Sequence, residues 1–420
     1  MKIIQTFWSK PLFHSNQNVC QNRYQGGWLN YRYFLLSMAY SCLTISRHYP
    51  HLELYTDTFG KSLFKDILQL PYYRYHTILD DLSEVDEAFW AFAKVKTYSV
   101  QNEPFLHVDN DVFIWHPFPQ NIISADVACQ SIENIDEFSL TDYHLALDYI
   151  RKNVNSAPNI IRDSRCNIAY NMGVFGGNDI NFIQQYSKQA VTCFNSMYDA
   201  ILHSGNLKGK FNVVFEQLLL KEFAQNYQEK VSFLVPNSEI DEILKFSTIE
   251  TAQYESKYTH CIGQLKKVTY ICEQIEFRMK YDFPSYYKRI MSYLDTEQYV
   301  FEENTKSMAD YLNFCKIYSK INHAVDINDI MTNYEFILNN DCWIEEKDGG
   351  HYLNTPKEKS KLTDWRLLLT YFELKTTGMN ICKIISNEKN TIKLSFDEIV
   401  TNVFYLIMES LYITKCLTVA

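Results

Sequence analysis

An apolar run, Pro104-Phe105-Leu106-His107-Val108, ends in two carboxylates, Asp109 and Asp111, with Asn110 between them and Val112-Phe113 behind. Residues two apart in an extended segment project to the same side. Asp109 and Asp111 can therefore both reach one cation lying beyond the carboxyl end of a buried strand. A hard divalent ion held by two carboxylates suits a diphosphate, whose oxygens it bridges and whose charge it neutralises. Asp and Asn also cap helices and start turns at strand ends, so the tripeptide alone leaves both readings open.

A second constellation lies far downstream, in His260-Cys261-Ile262-Gly263-Gln264-Leu265-Lys266. A neutral imidazole at His260 supplies a further metal ligand. Gly263 lets the backbone approach a diphosphate closely, and Lys266 offers its oxygens a point charge. The plainer alternative is a loop with a surface lysine and a locally satisfied histidine. Ahead of the aspartates stand Lys94 and Lys96. Two residues apart on a helix they do not share a face, and Lys94 is the one expected at the site. Trp8, Trp28 and Trp90 are candidates for stacking on a base or sugar, and equally for core packing.

The elements that must position these groups follow a βα rhythm. Residues 2–7, 52–57, 73–79 and 105–108 read as strands, and residues 28–48, 60–70 and 86–100 as helices between them. Such alternation implies a mostly parallel sheet with helices on both faces. Ligands of these sheets bind beyond the strand carboxyl ends, where Thr6, Asp57 and Asp109 all fall. Further strands are expected at 125–131, 167–177 and 231–235, with helices at 143–152, 180–202 and 213–227. The texture changes near residue 268: helices are expected at 270–294, 301–321, 363–374 and 396–414, with a hairpin-like turn at 345–350. The reading gives a domain over 1–268 and a mainly helical C-terminal region over 269–420.

Composition sets the class. A chain of 420 residues buries a sizeable core. With 46% apolar and 21% charged residues it is globular. The formal net charge of −10 leaves no basic excess for nucleic acid. Eleven cysteines occur without CxxC pairs. Cys20, Cys42, Cys129, Cys166, Cys193 and Cys261 read as isolated buried thiols of a reducing compartment. No leader-like or membrane-spanning stretch is found: the apolar tail over 399–420 is interrupted by Asn402, Glu409, Ser410 and Lys415. A cytoplasmic location is the expectation.

In the order and spacing of its motifs the chain resembles the retaining glycosyltransferases of the GT-A fold, of the glycogenin and galactosyltransferase type (family 8). The matching pieces are the opening strand ending near Thr6, Asp109-x-Asp111, Tyr170-Asn171-Met172-Gly173-Val174, the pair Glu216-Gln217, and His260-x-x-Gly263-x-x-Lys266. They span roughly residues 1–268. The resemblance implies a Rossmann-like α/β fold and transfer of a hexose from a UDP-type nucleotide sugar to an acceptor that the sequence does not name. Asp109, Asp111 and His260 would hold Mn²⁺ or Mg²⁺, and Lys266 would meet the diphosphate. Thr6, Asp57, Lys94, Asn110, Gly173 and Gly263 would lie along the donor, with Asn171, Glu216 and Gln217 at the reaction centre. Two positions depart from the family pattern: Lys267-Val268 stand where Pro-Trp is usual, and Glu216 where Asp is usual. Two other readings compete. A nucleotidyltransferase would need a glycine-rich basic loop after the first strand, and residues 4–10 contain no glycine. A catalytically inert module would use the C-terminal region to recognise a protein or peptide.

Overall fold

A computed structural model describes residues 1–13, 23–135, 141–165, 167–236, 247–296, 308–387 and 394–420. The chain forms two compact units, Met1–Ser247 with Tyr258–Tyr299, and Thr248–Lys257 with Val300–Ala420. Among the described residues no helix is long and apolar enough to cross a membrane.

Among the described residues the first unit has nine strands: β1 (Lys2–Thr6), β2 (Leu52–Tyr55), β3 (Arg74–His76), β4 (Phe105–Val108), β5 (Val112–Ile114), β6 (Val127–Asn134), β7 (Ile168–Gly177), β8 (Val231–Val235) and β9 (Tyr258–His260). Seven form one sheet in the order β3-β2-β1-β4-β7-β6-β8. β7 runs antiparallel to β4 and β6, and the other pairings are parallel. This is the α/β architecture expected, a mostly parallel sheet flanked by helices. The central strands are apolar on both sides, as a sheet covered on two faces requires: Ile3, Ile4, Phe105, Leu106 and Val108 are fully buried. Ile4, Phe105 and Phe175 pack in one core with the helices Ala91–Ser99 and Ile180–Leu202. By strand alternation Ile3, Leu106 and Val174 face the other side.

The helix Tyr31–Ser46 is buried along most of its length and begins at Asn30, whose side chain accepts from Tyr33 N. It packs with the helices Thr269–Asp282 and Pro284–Thr296. Arg32 pairs with Glu276, and Tyr40 donates to Asp282 at 2.8 Å. The helices Thr269–Asp282 and Pro284–Thr296 therefore belong to the first unit. The single helix expected over 270–294 is two, because Pro284 has no N–H to continue the ladder and its ring excludes the preceding turn.

The second unit contains the helices Met308–Ile321, Ile327–Asn333, Gly378–Asn387 and Phe396–Tyr412. The first part of the helix expected over 301–321 lies outside the described residues. A 3₁₀ helix, Asp364–Glu373, stands where residues 363–374 are expected to be helical. Six strands accompany them: β10 (Glu335–Leu338), β11 (Trp343–Lys347), β12 (Gly350–Asn354), β13 (Lys359–Lys361), β14 (Thr376–Thr377) and β15 (Leu417–Val419). They form two antiparallel sheets, β14-β10-β15 and β11-β12-β13. Asp348 and Gly349, both at positive φ, make the two-residue turn between β11 and β12. Helix Phe396–Tyr412 opens on a capping box of Ser395 and Glu398.

Asp57, at the end of β2, is committed within the fold. Its Oδ1 accepts from Gly60 N at 2.8 Å, capping the helix Thr58–Lys61, and its Oδ2 accepts from Ser9 N and Ser9 Oγ, each at 2.7 Å. Asp57→Ala should lower unfolding stability by about 1–2 kcal/mol, the usual cost of a lost cap, as read from urea midpoints. A donor-binding role would instead appear as weakened ligand binding at unchanged stability.

Candidate functional site

The loop Asp109–Asp111 follows β4, and its carbonyls are paired one by one. Asp109 N donates to Gly173 O at 2.9 Å and Val112 N to Asp109 O at 3.2 Å. Ser37 Oγ donates to Asn110 O at 3.3 Å, Ser41 Oγ to Val112 O at 2.6 Å, and Cys261 N to Asp111 O at 3.0 Å. Ser37 and Ser41 are four apart on the helix Tyr31–Ser46 and so share one face. Asn110 Nδ2 donates to Thr6 O at 2.6 Å, while Thr6 Oγ1 lies 3.1 Å from His107 Nε2. Thr6 thus holds the loop at the end of β1. Burial and the nearby Lys94 push the His107 pKa well below its ordinary value, so this imidazole is neutral.

Antiparallel pairing of β5 with β9 sets Val112 opposite His260. Ligand atoms of Asp109, Asp111 and His260 consequently lie within 4.8 Å of one another. His260 Nε2 is 3.3 Å from Asp111 Oδ1, and its Nδ1 is 2.6 Å from Gln130 Oε1. An Nδ1–H donated to that carbonyl leaves the Nε2 lone pair facing the carboxylates, the tautomer a metal ligand needs. Gln130 stands where the β6–β7 register shifts, between Cys129 and Ser131, and Tyr258 O–H also donates to its Oε1. Gly173 makes room for the contact: a Cβ there would sit 2.3 Å from Gln130 Oε1 and 2.6 Å from His260 Nδ1. The donor set of two carboxylates and one imidazole, buried to half-buried, fits a divalent cation.

Two lysines brace these carboxylates. Lys94 Nζ lies 3.1 Å from Asp109 Oδ1 and 2.7 Å from Glu216 Oε1, and Lys266 pairs with Asp111. Lys96, by contrast, reaches Asp81 at 3.2 Å on the surface. Burial opposes the charge on Asp111, but Lys266 and His260 outweigh it and hold the carboxyl well below the usual range. Lys266 is drawn below the ordinary lysine value by burial, with Asp111 opposing. Glu216 sits in a π-helical turn, Val214–Leu218, and is 1% exposed. Apart from Lys94, its carboxylate oxygens have no hydrogen-bond partner among the described residues. Burial, with Asp109 nearby, pushes its pKa up to about 7 against the pull of Lys94.

Thr6, Lys94, Asp109, Asn110, Asp111 and Lys266 line one cavity of about 130 Å³. Its apolar wall includes Phe7, Trp8, Trp28, Phe34 and Trp90. Other expected residues stand apart from it. Asn171 donates to Glu133 Oε1 at 2.6 Å and accepts from Gly173 N at 2.9 Å. Tyr143 Oη lies 2.6 Å from both Glu133 Oε2 and Gln217 Oε1 and donates its one hydrogen to one of them, which links Asn171 to Gln217 through two intervening side chains. Gly263 opens the 3₁₀ turn Gly263–Lys267 with φ of 53°. Asp57 is not among the lining residues. Cys42, Cys129, Cys193 and Cys261 are buried, and Cys20 and Cys166 lie outside the described residues.

Sequence reasoning missed Gln130, Ser37, Ser41 and Arg23. The two serines on one face of an otherwise apolar helix were a readable signal. Gln130 and Arg23 gave none, since each acts only through partners that are remote in sequence.

Gly173→Ala should displace His260 and weaken Mn²⁺ binding about 10–100-fold, the usual effect of disturbing the groups around a metal ligand, measured by titration calorimetry. Glu216 supplies a second test. Its proton is held more tightly in the folded chain, so its contribution to stability is complete below its ordinary value of 4.5 and is lost as pH rises through about 7. Unfolding free energies of Glu216→Gln should therefore gain on the wild type across that window and run parallel to it above.

Several solved structures resemble the chain at low similarity. The glycosyltransferase GlyE of Streptococcus pneumoniae TIGR4 is 8% identical with a TM-score of 0.33, over 72% of this chain and 66% of that one. The chain thus spans just under two thirds of GlyE. The galactosyltransferase LgtC, solved in complex with donor and acceptor sugar analogs, is 9% identical with a TM-score of 0.26, over 51% of this chain and 70% of that one. Mouse xyloside xylosyltransferase 1 is 11% identical with a TM-score of 0.30, over 55% and 84%. Likeness this slight carries no argument about activity. No curated protein matches the chain at a significant level. Residues 1–293 match a family of unknown function, DUF6734, and the chain belongs to that family.

Proposed function

We propose that the first unit is a metal-dependent glycosyltransferase of the GT-A type, which moves a hexose from a UDP-type nucleotide sugar to an acceptor. One observation carries the reading: Asp109, Asp111 and His260 converge within 4.8 Å of one another beside Lys94 and Lys266, and the aspartates and lysines line one cavity. The cavity lies beyond the carboxyl ends of β1 and β4, where ligands of such sheets bind. The motif order described above supports the donor class.

Asp109, Asp111 and His260 would hold Mn²⁺ or Mg²⁺, which when bound supplies charge neutralisation for the diphosphate leaving group. Lys266 adds a positive charge on the same oxygens. Lys94 fixes Asp109 and stands between it and Glu216. Asn110 keeps a buried Oδ1 with no hydrogen-bond partner among the described residues, an acceptor for a donor hydroxyl. Glu216 is the candidate nucleophile or base of a retaining transfer. Asn171 and Gln217 support its surroundings through Glu133 and Tyr143. The buried thiols of Cys42, Cys129 and Cys193 favour a reducing, cytoplasmic compartment.

Incubating the protein with a panel of UDP- and GDP-sugars and Mn²⁺, Mg²⁺ or EDTA, with no acceptor present, tests the reading. Slow release of the nucleoside diphosphate from one donor is expected, abolished by EDTA and lowered at least ~100-fold in Asp109→Ala/Asp111→Ala. Folded, metal-loaded protein that neither binds nor turns over any of these donors would exclude it.

A further inference from the structure

Among the described residues, one cation of the cavity has no hydrogen-bond acceptor or ion-pair partner. Lys94 is held by Asp109 and Glu216, and Lys266 by Asp111. Arg23 lines the same cavity yet forms no hydrogen bond or ion pair among the described residues. Its guanidinium lies 3.9 Å from the centroid of the Trp90 ring. Stacking on that ring fixes the plane of the fork while leaving its N–H edges open. A guanidinium keeps its charge, and an open fork lining a cavity with Lys94 and Lys266 suits an oxyanion.

The backbone shows which one. Gln25, Gly26 and Gly27 follow Arg23 in a left-handed turn, with φ of 52°, 67° and 80°. The turn packs closely: a Cβ at Gly26 would overlap Phe34 Cδ2 at 2.3 Å. At Gly27 a Cβ would stand 3.4 Å from Arg23 Nη1 and 4.0 Å from Lys266 Cδ, so the two cationic side chains flank one bare stretch of backbone. Leu29 N donates to Lys266 O at 3.1 Å and ties the two segments together. Arg23 and Lys266 repel each other, which Asp111 offsets in part; a dianion lying against both offsets it further, and the planar fork suits two oxygens of one phosphate. We infer that Arg23 is a phosphate clamp, which together with Lys266 grips the diphosphate of the donor. This inference rests on the glycosyltransferase reading and adds to it a residue outside the resembling motifs.

Titration calorimetry with Mn²⁺ present would compare wild type, Arg23→Met and Arg23→Lys as binders of UDP, GDP, inorganic pyrophosphate and uridine. UDP-glucose and UDP-glucuronate form a second pair of probes. Arg23→Met should weaken the preferred diphosphate about 10–100-fold, the range for a lost charged hydrogen bond, and leave Mn²⁺ affinity without nucleotide unchanged. Arg23→Lys keeps the charge without the fork and should recover part of the loss, which also covers a methionine variant that fails to fold. Diphosphate binding by Arg23→Met equal to wild type would overturn the assignment of Arg23 alone. A loss confined to UDP-glucuronate would overturn it too, moving Arg23 to a sugar carboxylate. Wild-type protein that binds none of the diphosphates would overturn both the clamp and the glycosyltransferase reading.

Discussion

A loop that carries two carboxylates into a protein interior must satisfy its backbone before its side chains can do anything, because a buried peptide group without a partner costs about as much as a lost hydrogen bond. The rest of this unit is arranged around that requirement. The carbonyls of Asp109, Asn110, Asp111 and Val112 find donors in Val112, Ser37, Cys261 and Ser41. Gln5, itself bonded to Ser41 and Tyr72, reaches Asp109 O as well. These donors come from β1, from the helix Tyr31–Ser46 and from the segment after β9. The hydroxyls that look misplaced in an apolar helix are therefore what allow the aspartates to be held rigidly without exposing their peptide groups.

The same economy governs charge. Two carboxylates and a glutamate brought together repel, and the fold answers with ammonium groups from two separate elements. Lys94 projects from the helix ahead of β4, and Lys266 from the turn after β9. The short β5–β9 ladder is what makes the second possible, since it delivers His260 and, six residues on, Lys266 to the aspartates. Three paired residues per strand are few, and the ladder gains support from Cys261 N on Asp111 O and Trp115 Nε1 on Thr259 Oγ1 at 3.0 Å.

The sheet was legible because its strands are short apolar runs between turn signals, and a doubly covered sheet demands such runs. The two acidic residues were legible because alternation puts residues two apart on one side of a strand. Other features were written in residues that mean nothing alone. Pro284, which splits one expected helix into two, was visible and under-weighted. Gly173 read as a residue lining the donor, whereas its lack of a Cβ is used to let Gln130 reach His260. The small sheets after residue 334 were masked by short strands with mixed polarity, such as Trp343–Lys347, where edge exposure weakens the period-two pattern. Asp57 carries a role that its position did not announce: a carboxylate at the end of β2 that caps the next helix and holds Ser9.

The pairing of Lys266 with Asp111 has a consequence for how the site fills. An ammonium carries three donors, and Lys94 already serves two carboxylates at once. Lys266 can likewise keep Asp111 and meet an outside oxyanion with a second N–H. Under the proposed function, a cation taking over Asp111 would weaken that internal pair and leave more of the Lys266 charge for the anion. Cation and anion would then be thermodynamically linked, each raising the affinity of the other by the same factor, and the site would favour a metal-bound anion over either ion alone.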